Sequence, residues 1–171
     1  KRRLEKSEAA YRRLAAQHAA TQALIKGRTT ADVLPGVLQA VCEALDWGEA
    51  ALWWVDREGK CLRCAEFWSA PTSTTSEFET MTRKSTFLIG VGLPGRVWKT
   101  GRPAWIPDVV KDRNFPRAPY ADKDGLHGAF GFPITLGGET IGVLEFFSRR
   151  IEKPDKELLR MMATVGSQLG L

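Results

Sequence analysis

The chain has 171 residues, of which 43% are hydrophobic and 26% are charged, and its formal net charge is +5. These values are ordinary for one globular domain, and no apolar run approaches the roughly 20 residues that a membrane-spanning helix needs. Three cysteines, an odd number, argue against a disulfide framework and for a reducing, cytoplasmic compartment. The basic residues do not follow one stripe, so nucleic-acid binding is not expected. Because no apolar run is long enough, no membrane contact is expected within this segment either.

The N-terminal segment predicts a helix with a weak apolar seam. Two heptad positions repeat through an alanine-rich stretch, one occupied by Leu4, Tyr11, His18 and Ile25 and the other by Ser7, Leu14 and Thr21. Such a seam needs a partner, either the same helix of a second chain or the C-terminal helix of this one. We therefore expect residues 1–28 to form a helical linker and the terminal helices to support a homodimer.

A second helix and a hairpin follow. After Gly27, Thr30 or Asp32 is expected to cap an amphipathic helix, which continues to Leu45. The strand-forming runs 50–55 and 61–68 flank a turn-forming Asp-Arg-Glu-Gly sequence, which predicts a β-hairpin.

The middle of the chain predicts short elements and one long loop. Residues 76–84 read as a short helix, and Pro94 suits the first turn of another that ends at Gly101. A strand is predicted over 103–109. The stretch 111–126 is expected to be a long loop with one helical turn around 120–124.

The C-terminal part predicts a second hairpin and a final helix. Strand-like runs at 129–136 and 140–147 are joined by Gly137-Gly138, and both strands are expected near the centre of the sheet. A helix starting near Pro154 carries its apolar residues on one face. This order of elements predicts an α+β fold, with a mostly antiparallel sheet of five or six strands and its N- and C-terminal helices packed on one face.

Three segments carry a family resemblance. They are GLPGRVWKTGRPAWIPDV (92–109), GLHGAFGFPI (125–134) and GETIGVLEFFS (138–148), the last followed by PDKELLRMMATVGSQLG. In order and spacing they resemble the GAF domain family over residues 29–171. They look most like GAF modules of bacterial sensor histidine kinases and related multi-domain signalling proteins.

The resemblance implies a profilin-like fold with a pocket on the sheet face opposite the terminal helices, roofed by residues 109–128. It implies a sensory domain that binds a small ligand or mediates dimerisation, lies between a PAS domain and an output domain, and signals through its terminal helices. Residues 1–28 would then be a signalling linker, and the last helix would continue into an output linker. Such a module is not itself an enzyme, although its parent could be a histidine kinase or nucleotide cyclase.

Two other functions stay open. One is a purely structural dimerisation module without a ligand, which a pocket filled by its own aromatic side chains would favour. The other is a GAF-type free methionine sulfoxide reductase. Cys61 and Cys64 form a C-x-x-C motif, but a spacing of three in a strand points them to opposite faces, and Cys42 lies on a separate predicted helix. Packing roles are favoured for Cys61 and Cys64, the three cysteines form no convergent set, and no metal set is found.

No cofactor is identified by the resemblance. The asparagine-lysine-phenylalanine-aspartate-glutamate signature of cyclic-nucleotide-binding members is absent in order, and residues 108–128 hold no cysteine for a covalent bilin. His127 is the one candidate haem ligand near the roof, which is weak support for haem.

Glu145 is the leading pocket candidate, because a carboxylate in an apolar central strand is costly unless it is paired or faces a polar cavity. Strand alternation places Phe147 on the same side as Glu145. The alternative is a buried ion pair with Arg102, Arg96 or His127.

The remaining site candidates lie in or near the roof. Aromatic residues could stack on a flat ligand, although core packing is favoured for them: Trp98, Trp105, Phe115 and Tyr120. Charged residues could hold a carboxylate or phosphate, although solvated loop charge is favoured: Asp108, Arg117 and Lys123. Gly90, Gly92 and Gly95 match a dinucleotide fingerprint only as text, and we interpret them as turn residues.

Overall fold

The computed structural model describes residues 1–27, 30–72 and 76–170, without the side chains of residues 30–32. The predicted capping side chains of Thr30 and Asp32 therefore lie outside the described residues. The helices are α1 (Arg2–Lys26), α2 (Thr30–Leu45), α3 (Glu77–Lys84), α4 (Gly92–Thr100), α5 (Ala118–Asp124) and α6 (Lys156–Leu169). The strands are β1 (Glu49–Asp56), β2 (Cys61–Ser69), β3 (Thr86–Phe87), β4 (Ala104–Ile106), β5 (Ala129–Leu136) and β6 (Glu139–Phe147).

The six strands form one sheet in the order β3-β2-β1-β6-β5-β4, and every neighbouring pair is antiparallel. This confirms the α+β class and the antiparallel sheet predicted from the sequence. The β5–β6 hairpin turns at Gly137 and Gly138, whose φ angles of 59° and 80° suit glycine. Of the two strands expected near the centre, β6 lies there beside β1, whereas β5 is one strand from the β4 edge.

One face of the sheet is covered by the terminal helices. Helices α2 and α6 pack directly on the strands, and α1 lies against α2 and α6. Asp155 caps α6 by accepting a hydrogen bond from the backbone N–H of Leu158 (3.0 Å) and also pairs with Arg13 of α1 (2.9 Å). The first and last helices are therefore joined on one side of the sheet, as predicted. The shared core includes Ala16, Ala20, Leu38, Val41, Phe130, Phe132, Leu144, Phe146, Met162 and Val165.

The opposite face, which we call the roof face, is covered by α3, α4, α5 and the roof segment, defined as residues 109–128. The roof segment contains a short 3-10 turn (Val109–Lys111) and α5, which is longer than the single turn predicted and is capped at its C-terminus by Gly125 with φ 73°. None of the described helices is both long and apolar enough to cross a membrane.

Two strand predictions needed correction. The two-residue β3 was missed, because so short an edge strand has no periodicity of its own. The strand predicted over 103–109 extends only from Ala104 to Ile106. It stops there because the Asp108 side chain accepts a hydrogen bond from the backbone N–H of Val110 (3.1 Å) and starts the 3-10 turn.

Candidate functional site

A buried ion pair lies at the centre of the roof face. Glu145 points from β6 toward the roof segment, and Arg117 points from the start of α5 toward the sheet. Their side chains are 0% and 2% exposed. The guanidinium binds the carboxylate through two parallel hydrogen bonds, from Nη1 to Oε1 (2.8 Å) and from Nη2 to Oε2 (2.9 Å). This is the bidentate geometry in which arginine–carboxylate pairs are strongest.

Further polar contacts hold both partners in place. The indole Nε1–H of Trp53, on the neighbouring strand β1, donates to Oε1 of Glu145 (2.8 Å). Nη1 of Arg117 also donates to the hydroxyl of Thr82 in α3 (3.2 Å). Nε of Arg117 is buried and has no acceptor among the described residues. The pair thus links the roof segment to two central strands and to α3, with one donor left unsatisfied.

The guanidinium is enclosed by aromatic rings. Five ring centroids lie 4.8–5.6 Å from its central carbon, those of Trp53, Phe78, Phe87, Phe115 and Phe147. Aromatic faces attract cations at such distances, and the attraction grows when water is excluded. The same rings also contact one another in two groups: Trp53 packs edge-on against Phe87, and Phe78, Phe115 and Phe147 pack together. The interior that the resemblance assigns to a ligand is therefore filled here by the chain's own side chains.

Four predicted site residues come together at this place, namely Phe115, Arg117, Glu145 and Phe147. Glu145 and Phe147 share a face with Val143, as strand alternation predicted. The interpretation of Arg117 as solvated charge was wrong, because its head is buried against Glu145. Three other partners were expected for Glu145, namely Arg102, Arg96 and His127. This expectation was wrong, because Arg117 occupies both carboxylate oxygens.

Other predicted residues lie outside the ion-pair cluster. Trp98 and Tyr120 pack at its margin. Trp105 was wrongly placed near the roof: it stacks on Phe130 on the helix-covered face, with ring centroids 5.4 Å apart. The reason is strand alternation in β4, where Trp105 pairs directly with Phe130 of β5. Lys123 contacts Glu77 at 3.1 Å with both side chains mostly exposed, as expected of solvated loop charge.

Asp108 and His127 form a separate contact at the margin of the roof segment. Nδ1 of His127 lies 3.0 Å from Oδ1 of Asp108, which also caps the 3-10 turn. The backbone N–H of Val109 donates to the carbonyl of His127 (2.8 Å). These contacts fix the start of the roof segment against its end. His127, the candidate haem ligand, is thus in contact with Asp108.

Four members of the cluster were missed by sequence reasoning: Trp53, Phe78, Thr82 and Phe87. They come from β1, α3 and β3, which are far apart in the chain, so local patterns could not bring them together. The usable signal was strand alternation in β1, which puts Trp53 and Ala51 on the same side of the sheet.

The three cysteines do not converge. Cys42 is buried in α2, and burial raises the pKa of its thiol well above the usual range. Cys64 packs at the margin of the roof-face core, where burial and nearby Glu145 raise its pKa to about 11. Cys61 lies three residues earlier in the same strand. Both raised pKa values disfavour the thiolate form that cysteine chemistry requires. Over residues 1–27, 30–72 and 76–170, no cluster of three potential metal ligands occurs.

A second buried carboxyl, Glu49, lies at the beginning of β1. It is 1% exposed, and its Oε2 has no hydrogen-bond partner among the described residues. Its pKa is raised to about 7, chiefly by burial and also by Asp124 of α5 and Glu79 of α3, while Arg149 opposes the rise. Since the folded state then holds the proton more tightly than the unfolded chain, Glu49 makes stability depend on pH.

We expect the roof face to lose stability when one partner of the ion pair is removed. Glu145→Gln should lower the free energy of unfolding by about 3–5 kcal/mol, because it leaves the buried Arg117 charge unpaired. The matched control is Glu139→Gln, whose partner Arg57 is 3.0 Å away in a pair with side chains 64% and 74% exposed. That change should cost at most about 1 kcal/mol.

Urea denaturation measures both effects. The double variant Arg117→Leu/Glu145→Leu should be more stable than the sum of its single variants implies, because no unpaired charge stays buried. Simple additivity of the two single losses would contradict a coupled pair.

Glu49 gives a separate pH prediction. The contribution of Glu49 to the free energy of unfolding should fall as pH rises from about 4.5 to about 7, because the folded state must release a proton that the unfolded chain has already lost. In Glu49→Gln this contribution should disappear. The measurement is denaturation of the variant and wild type at several pH values, with Glu66→Gln, exposed on β2, as control. A constant difference between Glu49→Gln and wild type across this range would show that Glu49 does not titrate there.

Comparisons with known proteins agree with the fold. No curated protein sequence gives a significant match. A GAF domain of a phosphoenolpyruvate-protein phosphotransferase from Coxiella burnetii is similar, with 20% identity, a TM-score of 0.76 and coverage of 92% of this chain and 90% of that chain. The GAF domain of A. aeolicus nlh2 in an inactive state has 24% identity, a TM-score of 0.70 and 93% coverage of both chains.

An enzyme also has this fold. The free methionine-R-sulfoxide reductase of Neisseria meningitidis, solved in complex with its substrate, has 18% identity and a TM-score of 0.73. The match covers 95% of this chain and 87% of that chain. At these identities the similarity concerns the fold alone. The family model described as "GAF domain" matches residues 27–171, and the chain therefore belongs to the GAF domain family.

Proposed function

We propose that this chain is a regulatory GAF domain rather than an enzyme, and that it passes changes under the roof to its terminal helices. The observation that carries the proposal is the Arg117–Glu145 pair, which joins the roof segment to β6 in the middle of the sheet. A change in the roof segment that breaks this pair acts directly on a strand that also supports the helices.

The coupling follows from the alternation of β6. Glu145 faces the roof, while its neighbours Leu144 and Phe146 face the helical layer. Phe146 stacks on Phe130 and Phe132, with ring centroids 5.0 and 5.9 Å apart, in the core that α6 and α1 complete. Closely packed interiors transmit small displacements because they leave few voids to absorb them. A shift of Glu145 is therefore expected to reach the terminal helices through its two neighbours.

The cysteines support a non-catalytic role. A methionine sulfoxide reductase needs a reactive thiolate near its substrate, whereas burial raises the pKa of Cys42 and Cys64. The interior under the roof is occupied by an ion pair and five aromatic rings. Similarity to reductases at 18% identity is similarity of fold and leaves this argument unchanged.

We also propose a homodimer through α1. Four apolar residues predicted for the seam are 61–74% exposed in the single chain, namely Leu4, Tyr11, Leu14 and Ile25. His18 is exposed on the same side, while the opposite side of α1 buries Ala16 and Ala20. Because α6 contacts α1 away from this seam, it is not the partner of the seam. A second copy of α1 offers the matching heptad pattern.

In the parent protein, this domain would lie between a PAS domain and an output domain such as a histidine kinase, in the cytoplasm. Helices α1 and α6, which contact each other, would then carry the signal from the PAS domain to the output domain. A second candidate is a structural dimerisation module without a ligand, which the filled interior favours. The two functions differ in whether a change at the ion pair alters the helices.

Breaking the ion pair should change the α1–α6 distance. Spin labels at Glu8→Cys and Glu157→Cys, both exposed, report this distance in a Cys64→Ser background that removes the partly exposed native thiol. Pulsed electron resonance should show a shifted or broadened distribution for Glu145→Gln relative to Glu139→Gln, with labelled chains diluted in unlabelled ones. Identical distributions in folded variants would contradict transmission and favour the structural module.

The dimer has its own test. Leu14→Glu should shift sedimentation-equilibrium data toward the monomer, because it buries a carboxylate in the apolar seam. Lys6→Glu, an exposed change on α1 outside the seam, should leave the association constant nearly unchanged. A wild-type chain that stays monomeric at high micromolar concentration would rule out this interface.

A further inference from the structure

We propose that the space under the roof segment is a binding site for a guanidinium compound, and that the Arg117 side chain occupies this site when no ligand is bound. The proposal rests on the proposed regulatory function and adds to it the chemical class of the ligand. The structure assigns that class through the surroundings of the Arg117 head and through the part of the chain that carries it.

The sheet side of the site is complementary to a planar cation. Glu145 offers both carboxylate oxygens in the plane of the guanidinium, and the indole N–H of Trp53 fixes the position of Oε1 (2.8 Å). Aromatic rings of Trp53, Phe87 and Phe147 surround the same head. A carboxylate within an aromatic enclosure is an arrangement by which proteins bind organic cations.

The two halves of the ion pair are anchored differently. Glu145 lies in a central strand that is paired with β1 on one side and β5 on the other. Arg117 lies in the roof segment, which is outside the sheet and is held mainly by side-chain hydrogen bonds. Asn114 is bound to Gly92 and Arg96 of α4 (both 2.8 Å), and Asp124 accepts from the backbone N–H of Phe78 in α3 (3.2 Å). Removing Glu145 would require opening the sheet, whereas Arg117 leaves once the hydrogen bonds of the roof segment to α3 and α4 open, with every strand still paired. Arg117 is therefore the exchangeable half.

This asymmetry determines the charge of the ligand. An anion that drew Arg117 away would leave the Glu145 carboxylate buried without a counter-ion, which is strongly unfavourable. A cation that replaces Arg117 keeps Glu145 paired and releases the arginine to water. A phosphate or carboxylate ligand held by Arg117, one option that the sequence left open, is thus disfavoured.

The geometry further selects a guanidinium over an ammonium. The two parallel hydrogen bonds to Glu145 need two N–H groups in one plane, which a guanidinium presents and a compact ammonium does not. The hydroxyl of Thr82 accepts a further hydrogen bond from the same head at 3.2 Å. A ligand with this head and a short aliphatic tail reproduces the contacts that Arg117 makes now.

The test uses n-propylguanidinium, which corresponds to the arginine side chain, and n-propylurea, its neutral analogue of similar shape. The readout is the indole N–H signal of Trp53 in two-dimensional NMR spectra of the wild-type chain, assigned with Trp53→Phe. We expect a saturable shift with n-propylguanidinium at millimolar concentration and no shift with n-propylurea. An equal response to both probes, or no response of the wild-type chain, would overturn the proposal.

Variants separate the internal and external cations. Arg117→Ala removes the competitor, so it should bind n-propylguanidinium at least about tenfold more tightly than wild type. Glu145→Gln should abolish binding, and Glu139→Gln should not alter it. If Arg117→Ala fails to fold, Arg117→Met retains the apolar stem. Binding to the Arg117 variants without any binding to wild type would show a permanent internal pair and refute exchange.

Inorganic phosphate is the probe for the opposite charge. Saturable phosphate binding at Trp53 that disappears in Arg117→Ala would also refute the proposal. The spin-label distances distinguish this inference from the proposed function. Binding without a change in the α1–α6 distance would contradict transmission, whereas a change in Glu145→Gln without binding of n-propylguanidinium to wild type would contradict only the ligand.

Discussion

The roof face depends on a charge pair in a place where the protein could have used hydrocarbon. Glu145 lies on a central strand, fully buried, and is stable there only because Arg117 and Trp53 satisfy its oxygens. Apolar contacts are non-directional, whereas the bidentate pair requires one position and one orientation of the roof segment. The aromatic rings then close around a geometry that the two charges define.

The same strand connects the two faces of the domain. Successive side chains of β6 point to opposite sides, so the residue that binds the roof is flanked by two residues that support the helices. Phe146 belongs to the row of stacked rings beneath α6, and Asp155 at the beginning of α6 is paired with α1. From Arg117 to the terminal helices there is one continuous path of packed or hydrogen-bonded groups. Such a path permits coupling, and its two-state character is what the distance measurements examine.

Sequence patterns predicted the fold well because they report local structure. The period of two in β6 placed Glu145 and Phe147 on the roof side, and Gly137-Gly138 identified the hairpin. The site was harder to predict because its members meet only in three dimensions. Arg117 lies in a charged stretch where every basic residue looks alike, and its burial depends on Phe78 and Phe87 from other segments. An arginine flanked by Phe115, Pro116 and Ala118 was a weak local signal of burial.

A buried ion pair is a poor choice for stability alone. The desolvation of both charges offsets most of their attraction, and apolar side chains of similar volume often give equal or greater stability. The pair also leaves Nε of Arg117 without an acceptor among the described residues, which adds a cost that a hydrocarbon core would avoid. A pair of apolar side chains at these two positions, however, would leave no specific binding site when the one from the roof segment moved away. Arg117, when it moves away, leaves a carboxylate surrounded by aromatic rings, which together are selective for an organic cation. While Arg117 occupies the site, the Glu145 carboxylate and the aromatic rings stay in place and water is excluded. A matching cation can then exchange with Arg117 without leaving a charge unpaired.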